Sequence, residues 1–235
     1  MLSHPKFGYE QQIPNKMLAR LKQTRRLELS AYLVVASIIC LLLSLFRVGY
    51  TESRMFFFLN WNLFLAFIPW ALSSGLMLYP RLQHKKRFMA LTLGVWLLFF
   101  PNAPYILTDL FHLQLELTMP VWFDLVLILS FAWVGLMFGL KSLWDIEYLM
   151  QFWVKPKWIP VVSMLLLFLG SFGIYLGRFL RWNSWDIIQQ PVALLYDVGD
   201  RFINPFAHPR TWAVTLLMWV FLSMVYWFFR LLRKT

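Results

Sequence analysis

Six long apolar runs, separated by short segments rich in Lys and Arg, restrict the fold of this chain more than any other feature. Each run is on the order of 20 residues, the length that carries an α-helix across a ~30 Å hydrocarbon core. Lipid offers no water to an unpaired backbone, so such runs fold as helices. The expected class is all-α: a polytopic membrane bundle with spans at about 29–46, 55–79, 88–117, 121–140, 159–180 and 211–229. Residues 1–27 read as a basic tail, 28–235 as a single membrane domain, and 185–209 as an interfacial lid too polar to span.

The third run is broken. From Phe88 it is apolar for only about 13 residues, roughly 20 Å of helix, before Pro101-Asn102-Ala103-Pro104. A break at that depth must be buried in protein, line a polar cavity or sit at the interface. Pro101 stops the helix, Asn102 is a suitable N-cap, and Pro104 is tolerated in a first turn. The expectation is a second helix from about Ala103 to Leu117, with Asp109, His112 and Glu116 on one stripe. Asp109 and His112 at this spacing suit a shared divalent cation, but two ligands fall short of a metal site.

Composition agrees with a membrane class. Of 235 residues, 60% are hydrophobic and 14% charged, against about 25% charged in soluble domains. Aromatic content is 19%, with 13 Trp, as suits side chains gathered at membrane interfaces. Cys40 has no second cysteine to pair with. The net charge of +11 lies beside apolar runs, which makes it a topology signal and excludes nucleic acid as the expected partner. Most of the 22 Lys and Arg fall in the tail, near Arg81–Arg87, at Lys141, Lys155 and Lys157, or after Phe229. The positive-inside rule then places both termini in the cytoplasm. No phosphate-binding GxxxxGK[ST] loop or GxGxxG turn occurs, so chemistry driven by cytosolic nucleotide is not expected.

With this orientation the polar residues of spans three to six gather on the extracytoplasmic side. Asp124, at the start of span four, suits either the helix dipole or an Arg across the bundle. Gly135 and Gly139 form a GxxxG pair for close packing. In GRFLRWNSWD, Arg178 and Arg181 are spaced one helical turn apart, as two guanidinium forks for phosphate or carboxylate. Trp182 and Asn183 follow, and Asn183 with Asp186 makes a capping pattern. Asn60 and Asn62 cannot share one helix face and read as interhelical hydrogen-bonding groups.

Three segments, FFPNAPYILTDLFHL, WFDL and GRFLRWNSWD, carry a resemblance. The chain resembles a bacterial family of multi-pass membrane proteins known as a domain of unknown function, number thirteen sixty-one, from about Ala31 to near the C-terminus. The resemblance implies a bacterial cytoplasmic-membrane (cell inner membrane or plasma membrane) protein and carries no catalytic roles.

The residues point to a polar pocket on the extracytoplasmic side for an anionic, lipid-linked or envelope-precursor substrate. Arg178 and Arg181 would clamp the anion, with Asn102, Tyr105, Trp182, Asn183 and Asp186 as further binding residues. Asp109 or Asp124 would be the base and His112 a proton shuttle. Two alternatives stand beside this: a transporter of small solutes or ions using the broken span, and a non-catalytic scaffold whose charges form closed ion pairs. The bilayer itself is a partner in all three.

Overall fold

The computed structural model describes residues 26–83, 85–113 and 119–233. The predicted tail, apart from Arg26 and Leu27, and Glu116 lie outside these residues. The described chain is helical, with no strand among the described residues. Its main helices are α1 (Arg26–Thr51), α2 (Phe58–Leu78), α3 (Lys86–Phe99), α4 (Val121–Met150), α5 (Ile159–Phe179), α6 (Pro191–Ile203) and α7 (Pro209–Leu232). All but α6 belong to segments long and apolar enough to cross a membrane, α3 doing so together with the residues up to His112. The chain is therefore a six-span helical membrane protein.

α4 is the central helix. It packs against α1, α2, α5 and the segment after α3, while α7 lies outermost against α5. Two apolar clusters meet along it, one including Trp96, Phe100, Leu143 and Tyr226, the other Leu59, Ala103, Ile128 and Phe131. The outward faces of the spans stay apolar, as lipid requires (Val34, Leu42, Phe64, Leu165 and Leu217 are exposed).

Span four runs on to Met150, past the expected end at Leu140. Lys141, read as a basic residue beyond the span, is instead paired with Asp145 inside the bundle, and Glu147 is paired there with Arg230. Asp145 accepts hydrogen bonds from Arg26 Nη1 at 2.8 Å, Arg26 Nη2 at 2.7 Å and Lys141 Nζ at 2.6 Å. Glu147 accepts from Ser163 Oγ at 2.6 Å, Tyr226 Oη at 2.5 Å and Arg230 Nη1 at 3.0 Å. Two residues apart on a helix, the carboxylates face opposite ways. Asp145 therefore fastens α1 to α4, and Glu147 fastens α5 and α7.

The break in span three is a kink rather than a rupture. A short helical turn, Asn102–Tyr105, and a 3₁₀ turn, Ile106–His112, follow α3 directly, replacing the second α-helix expected from Ala103. The backbone bridges the prolines through Phe100 N–H to Trp96 O at 2.8 Å and Tyr105 N–H to Pro101 O at 3.0 Å. Asn102 is not the N-cap; that position belongs to Pro101. Its amide instead donates to Phe99 O at 3.0 Å and Ser184 Oγ at 3.1 Å, tying α3 to the loop after α5.

Glycines admit the kink. A Cβ on Gly135 would stand 2.7 Å from the Ala103 carbonyl oxygen, and one on Gly173 would stand 2.5 Å from Pro101 Cγ. The small-residue stripes of α4 and α5 thus receive the PNAPY segment from two sides. These side chains are missing because backbone and proline ring occupy their place.

Candidate functional site

The charged candidates close on one another. Arg178, in the last turn of α5, donates from Nη2 to Asp109 Oδ1 and from Nε to Thr108 Oγ1 at 2.8 Å. Its guanidinium lies over the Tyr105 ring, 4.5 Å from the centroid. The second Asp109 oxygen accepts from Asn62 Nδ2 at 2.8 Å, and Asp109 is 1% exposed. His112 Nδ1 is 4.0 Å from Asp109, beyond hydrogen-bond range, and its ring packs on Phe58. The 3₁₀ turn keeps Asp109 and His112 on one edge, since residues three apart eclipse there. No group of three His, Cys, Asp or Glu that could hold a metal ion occurs among the described residues.

Asp124 sits in a separate buried pair. Arg47 of α1 donates to it from Nε at 2.6 Å and Nη2 at 3.1 Å, and stacks over Phe56 at 4.4 Å. Its partner is Arg47, not an arginine of α5. Asn60 and Asn62 bond different neighbours, as their spacing requires: Asn60 Nδ2 donates to Ser44 Oγ at 2.9 Å, and Asn62 reaches Asp109.

Arg178 and Arg181 do not form a paired fork. α5 ends at Phe179, and Arg181 takes a left-handed φ of 62° while Trp182 N–H returns to Leu176 O at 3.1 Å. This is a left-handed helix cap, a position that favours Gly. Arg181 is exposed, beside Trp182 and Asn183. Asn183 and Asp186 are bonded, with Asp186 Oδ2 accepting from the Asn183 backbone N–H at 2.6 Å and Nδ2 at 3.2 Å, but Asn183 is not the cap: the short helix Asp186–Gln189 has Trp185 as its N-cap, with no side-chain capping bond.

The open space lies on the other side of the kink. A cavity of about 780 Å³ runs between α3 and α5, bounded by α2 and by the loop after α5. Its long walls are apolar, including Leu91, Val95 and Leu98 of α3 and Leu169, Phe172 and Leu176 of α5. Asn62, Asn102, Tyr105, Trp182, Asn183 and Ser184 supply its polar groups. Of the predicted site residues, Asn102, Tyr105, Trp182 and Asn183 line this cavity; Asp109, His112, Asp124, Arg178, Arg181 and Asp186 are not part of its wall. From Leu91 to Asn102 the helix rise amounts to roughly 17 Å.

The cavity opens sideways. Trp61 and Leu91 belong to its wall and yet are 54% and 67% exposed on membrane-spanning helices. At the polar end, Ile187, Ile188 and Leu194 carry the wall into the segment that leads to and begins α6. Helix α6 is amphipathic, and Ile188, Val192, Leu195, Tyr196, Ile203 and Phe206 stand exposed along this segment, the pattern of a helix lying in a membrane interface. Trp182 Nε1 donates to Asp197 Oδ2 at 2.8 Å and latches the loop to α6. The end of α6 is fastened by Asp200, which accepts from Asn204 Nδ2 at 2.8 Å and lies 2.6 Å from His208 Nε2. These two bonds hold the Asp200 carboxyl below the usual carboxylate range.

Sequence reasoning missed Arg47, Asp145, Glu147 and the apolar wall. The signal for the charges was available: Lys141 and Asp145 are four apart, so a helix pairs them and can continue inward. The wall had no signal, because its leucines match those that face lipid.

A bundle of six spans with a kinked third span defines the class as an integral multi-pass membrane protein. The chain belongs to the family described as Protein of unknown function (DUF1361), whose sequence profile matches residues 61–225, from α2 into α7. No curated protein and no solved structure matches it.

Proposed function

We propose that this protein binds one amphiphilic molecule of the membrane, an anionic lipid-linked or envelope-precursor compound, with its chain between α3 and α5 and its head under the lid. The supporting observation is the cavity itself: apolar along about 17 Å, polar at one end, with Trp61 and Leu91 of its wall exposed on helices long and apolar enough to span a membrane. Asn102, Asn183 and Ser184 offer hydrogen bonds to the head, and Trp182 and Tyr105 offer rings. Exposed Arg181 supplies the charge that favours an anion. Its left-handed backbone is costly for a non-glycine residue, and such strain gathers at working sites. With the basic segments in the cytosol, the polar mouth faces outward, as in a bacterial cytoplasmic-membrane protein. Asp109, Arg178, Asp124 and Arg47 then serve as struts beside the cavity.

The test is lipid analysis of the protein purified in mild detergent. A Cβ on Gly94, which lines the cavity, meets nothing within 4 Å. Gly94→Leu therefore fills the space while raising helix propensity by up to about 1 kcal/mol. Wild type is expected to retain one amphiphile per chain, and Gly94→Leu to lose it while melting no lower. Equal retention by both would remove the proposal. The scaffold reading has one observation of its own, the closure of Asp109 and Asp124 in ion pairs. It predicts no retained compound in either protein.

A further inference from the structure

The polar end of the cavity is built from uncharged groups. No Asp, Glu, Lys, Arg or His lines it among the described residues. The carboxylates bonded to its wall are already shared: Asp109 with Asn62, Asp186 with Asn183, and Asp197 with Trp182. The wall groups are gathered at one place. Asn102 bonds Ser184 at 3.1 Å, and a Cβ on Gly177 would stand 3.2 Å from Tyr105 Cε2 and 3.6 Å from the Trp182 carbonyl oxygen.

The hydrogens of these side chains are mostly spent on the protein. Asn62 Nδ2 donates to Asp109, Asn183 Nδ2 to Asp186, and Asn102 Nδ2 to both Phe99 O and Ser184 Oγ. Ser184 Oγ donates to Leu98 O at 3.1 Å, and Trp182 Nε1 to Asp197. Each amide nitrogen faces a carboxylate or a backbone carbonyl, which only accepts, so the orientation of all three amides is fixed. Their oxygens, Oδ1 of Asn62, Asn102 and Asn183, have no hydrogen bond among the described residues, and neither has the Tyr105 hydroxyl or Trp185 Nε1. The Asn62, Asn102, Tyr105 and Trp185 atoms are not enclosed, in contrast with Asn60 Oδ1, which is buried without a partner. Arg178 covers one face of Tyr105, whereas no ring or cation stacks on Trp182 or Trp185 among the described residues.

A wall of this kind selects its occupant. An ionised phosphate only accepts, so it would leave the amide oxygens without donors in a desolvated space. An ammonium would donate to them, but no carboxylate in the wall would offset the loss of its hydration. A hydroxyl donates and accepts, and carries no charge. A ring with hydroxyls along its edge and C–H groups on its face matches amides beside flat indoles. We infer that, within the amphiphile site proposed above and resting on it, the polar end of the cavity binds a sugar ring, so that the occupant is a glycolipid. The Asn62, Asn102 and Asn183 oxygens and the Tyr105 hydroxyl bond the sugar hydroxyls, and the Trp182 and Trp185 rings stack on its C–H groups. The negative charge of the molecule lies outside these walls, where exposed Arg181 precedes Trp182.

The test uses the full chain in a polyoxyethylene detergent, which has no sugar head to compete. It is titrated with a monoglucosyl diacylglycerol, phosphatidic acid or phosphatidylethanolamine of the same acyl chains, and binding is read by native mass spectrometry. The glucosyl lipid is expected to bind at one site, about ten-fold more tightly than the other two. Tyr105→Phe removes only a hydroxyl without a protein partner; it should weaken the glucosyl lipid about five-fold and leave phosphatidic acid unchanged. Gly94→Leu should abolish binding of all three lipids. Phosphatidic acid or phosphatidylethanolamine binding as tightly as the glucosyl lipid, and still lost in Gly94→Leu, would overturn the sugar and leave the amphiphile site standing. Equal affinity of Tyr105→Phe and wild type for the glucosyl lipid overturns the sugar as well. Binding that Gly94→Leu does not alter, or no binding of any of the three, overturns the amphiphile site itself.

Discussion

The two faces of the kinked third span differ in kind. One face carries Ala103, Ile106, Thr108 and Asp109, all buried, and is closed by Gly135 of α4, Asn62 of α2 and Arg178 of α5. The other carries Pro101, Asn102 and Tyr105 and borders the cavity. The charges lie on the closed face, and mostly uncharged polar groups lie on the open one. A buried carboxylate held by a guanidinium stabilises a particular packing, because separating the two would leave a charge in a medium of low dielectric. An uncharged amide at a cavity wall can exchange partners at little cost. In this molecule, charge positions the kink, and amides and aromatic rings border the space beside it.

The comparison can be broken at the closed face first, where the largest effect is expected. Arg47→Met leaves Asp124 buried without its partner and should lower stability by about 3–5 kcal/mol. Arg47→Met with Asp124→Leu should recover most of that loss. Denaturant titration of folding in micelles measures both, and an undisturbed single variant would contradict a structural role for the pair. Next is Gly135→Ala, whose methyl meets a backbone carbonyl and should cost about 1–3 kcal/mol by forcing the kink away from α4. The same titration reads it.

Two smaller effects sharpen the open face. Arg181→Gly relieves a left-handed arginine and should raise stability by about 1 kcal/mol. It also removes the positive charge that neighbours the cavity residues Trp182 and Asn183 in sequence, and should weaken retention of an anionic amphiphile about five-fold, measured by ligand exchange. The smallest effect is at the end of α6. The Asp200 carboxyl is depressed in the folded state, so its contribution is present above the ordinary carboxylate range and is lost as pH falls through the depressed value. Amide protection of residues 197–204 should fall in that window, and Asn204→Ala should move the loss to higher pH. Protection there that does not change with pH would contradict the Asp200 bonds.

The fold was largely legible in the sequence. Hydrophobic length alone fixes six helices, and the prolines mark the kink. The extension of α4 to Met150 was hidden because Lys141, Asp145 and Glu147 look like the end of a span until their partners from α1, α5 and α7 are known. The site was half legible. Asn102, Tyr105, Trp182 and Asn183 stood out as polar or aromatic residues at a break and a helix end. Asp109 and Arg178 stood out as well, but sequence does not reveal whether two opposite charges face each other or a common ligand. Spacing predicted a fork at Arg178 and Arg181; the left-handed turn that separates them depends on where Trp182 returns to the helix. The leucine wall was invisible, since lipid-facing and ligand-facing leucines have the same chemistry.

The most direct measurement is an experimental map of the protein purified with its native lipid. The account predicts elongated density between α3 and α5, with its head beside Asn102, Trp182 and Asn183, and Arg178 still bonded to Asp109. Side chains filling that cavity, or a ligand wedged between Arg178 and Asp109, would contradict it.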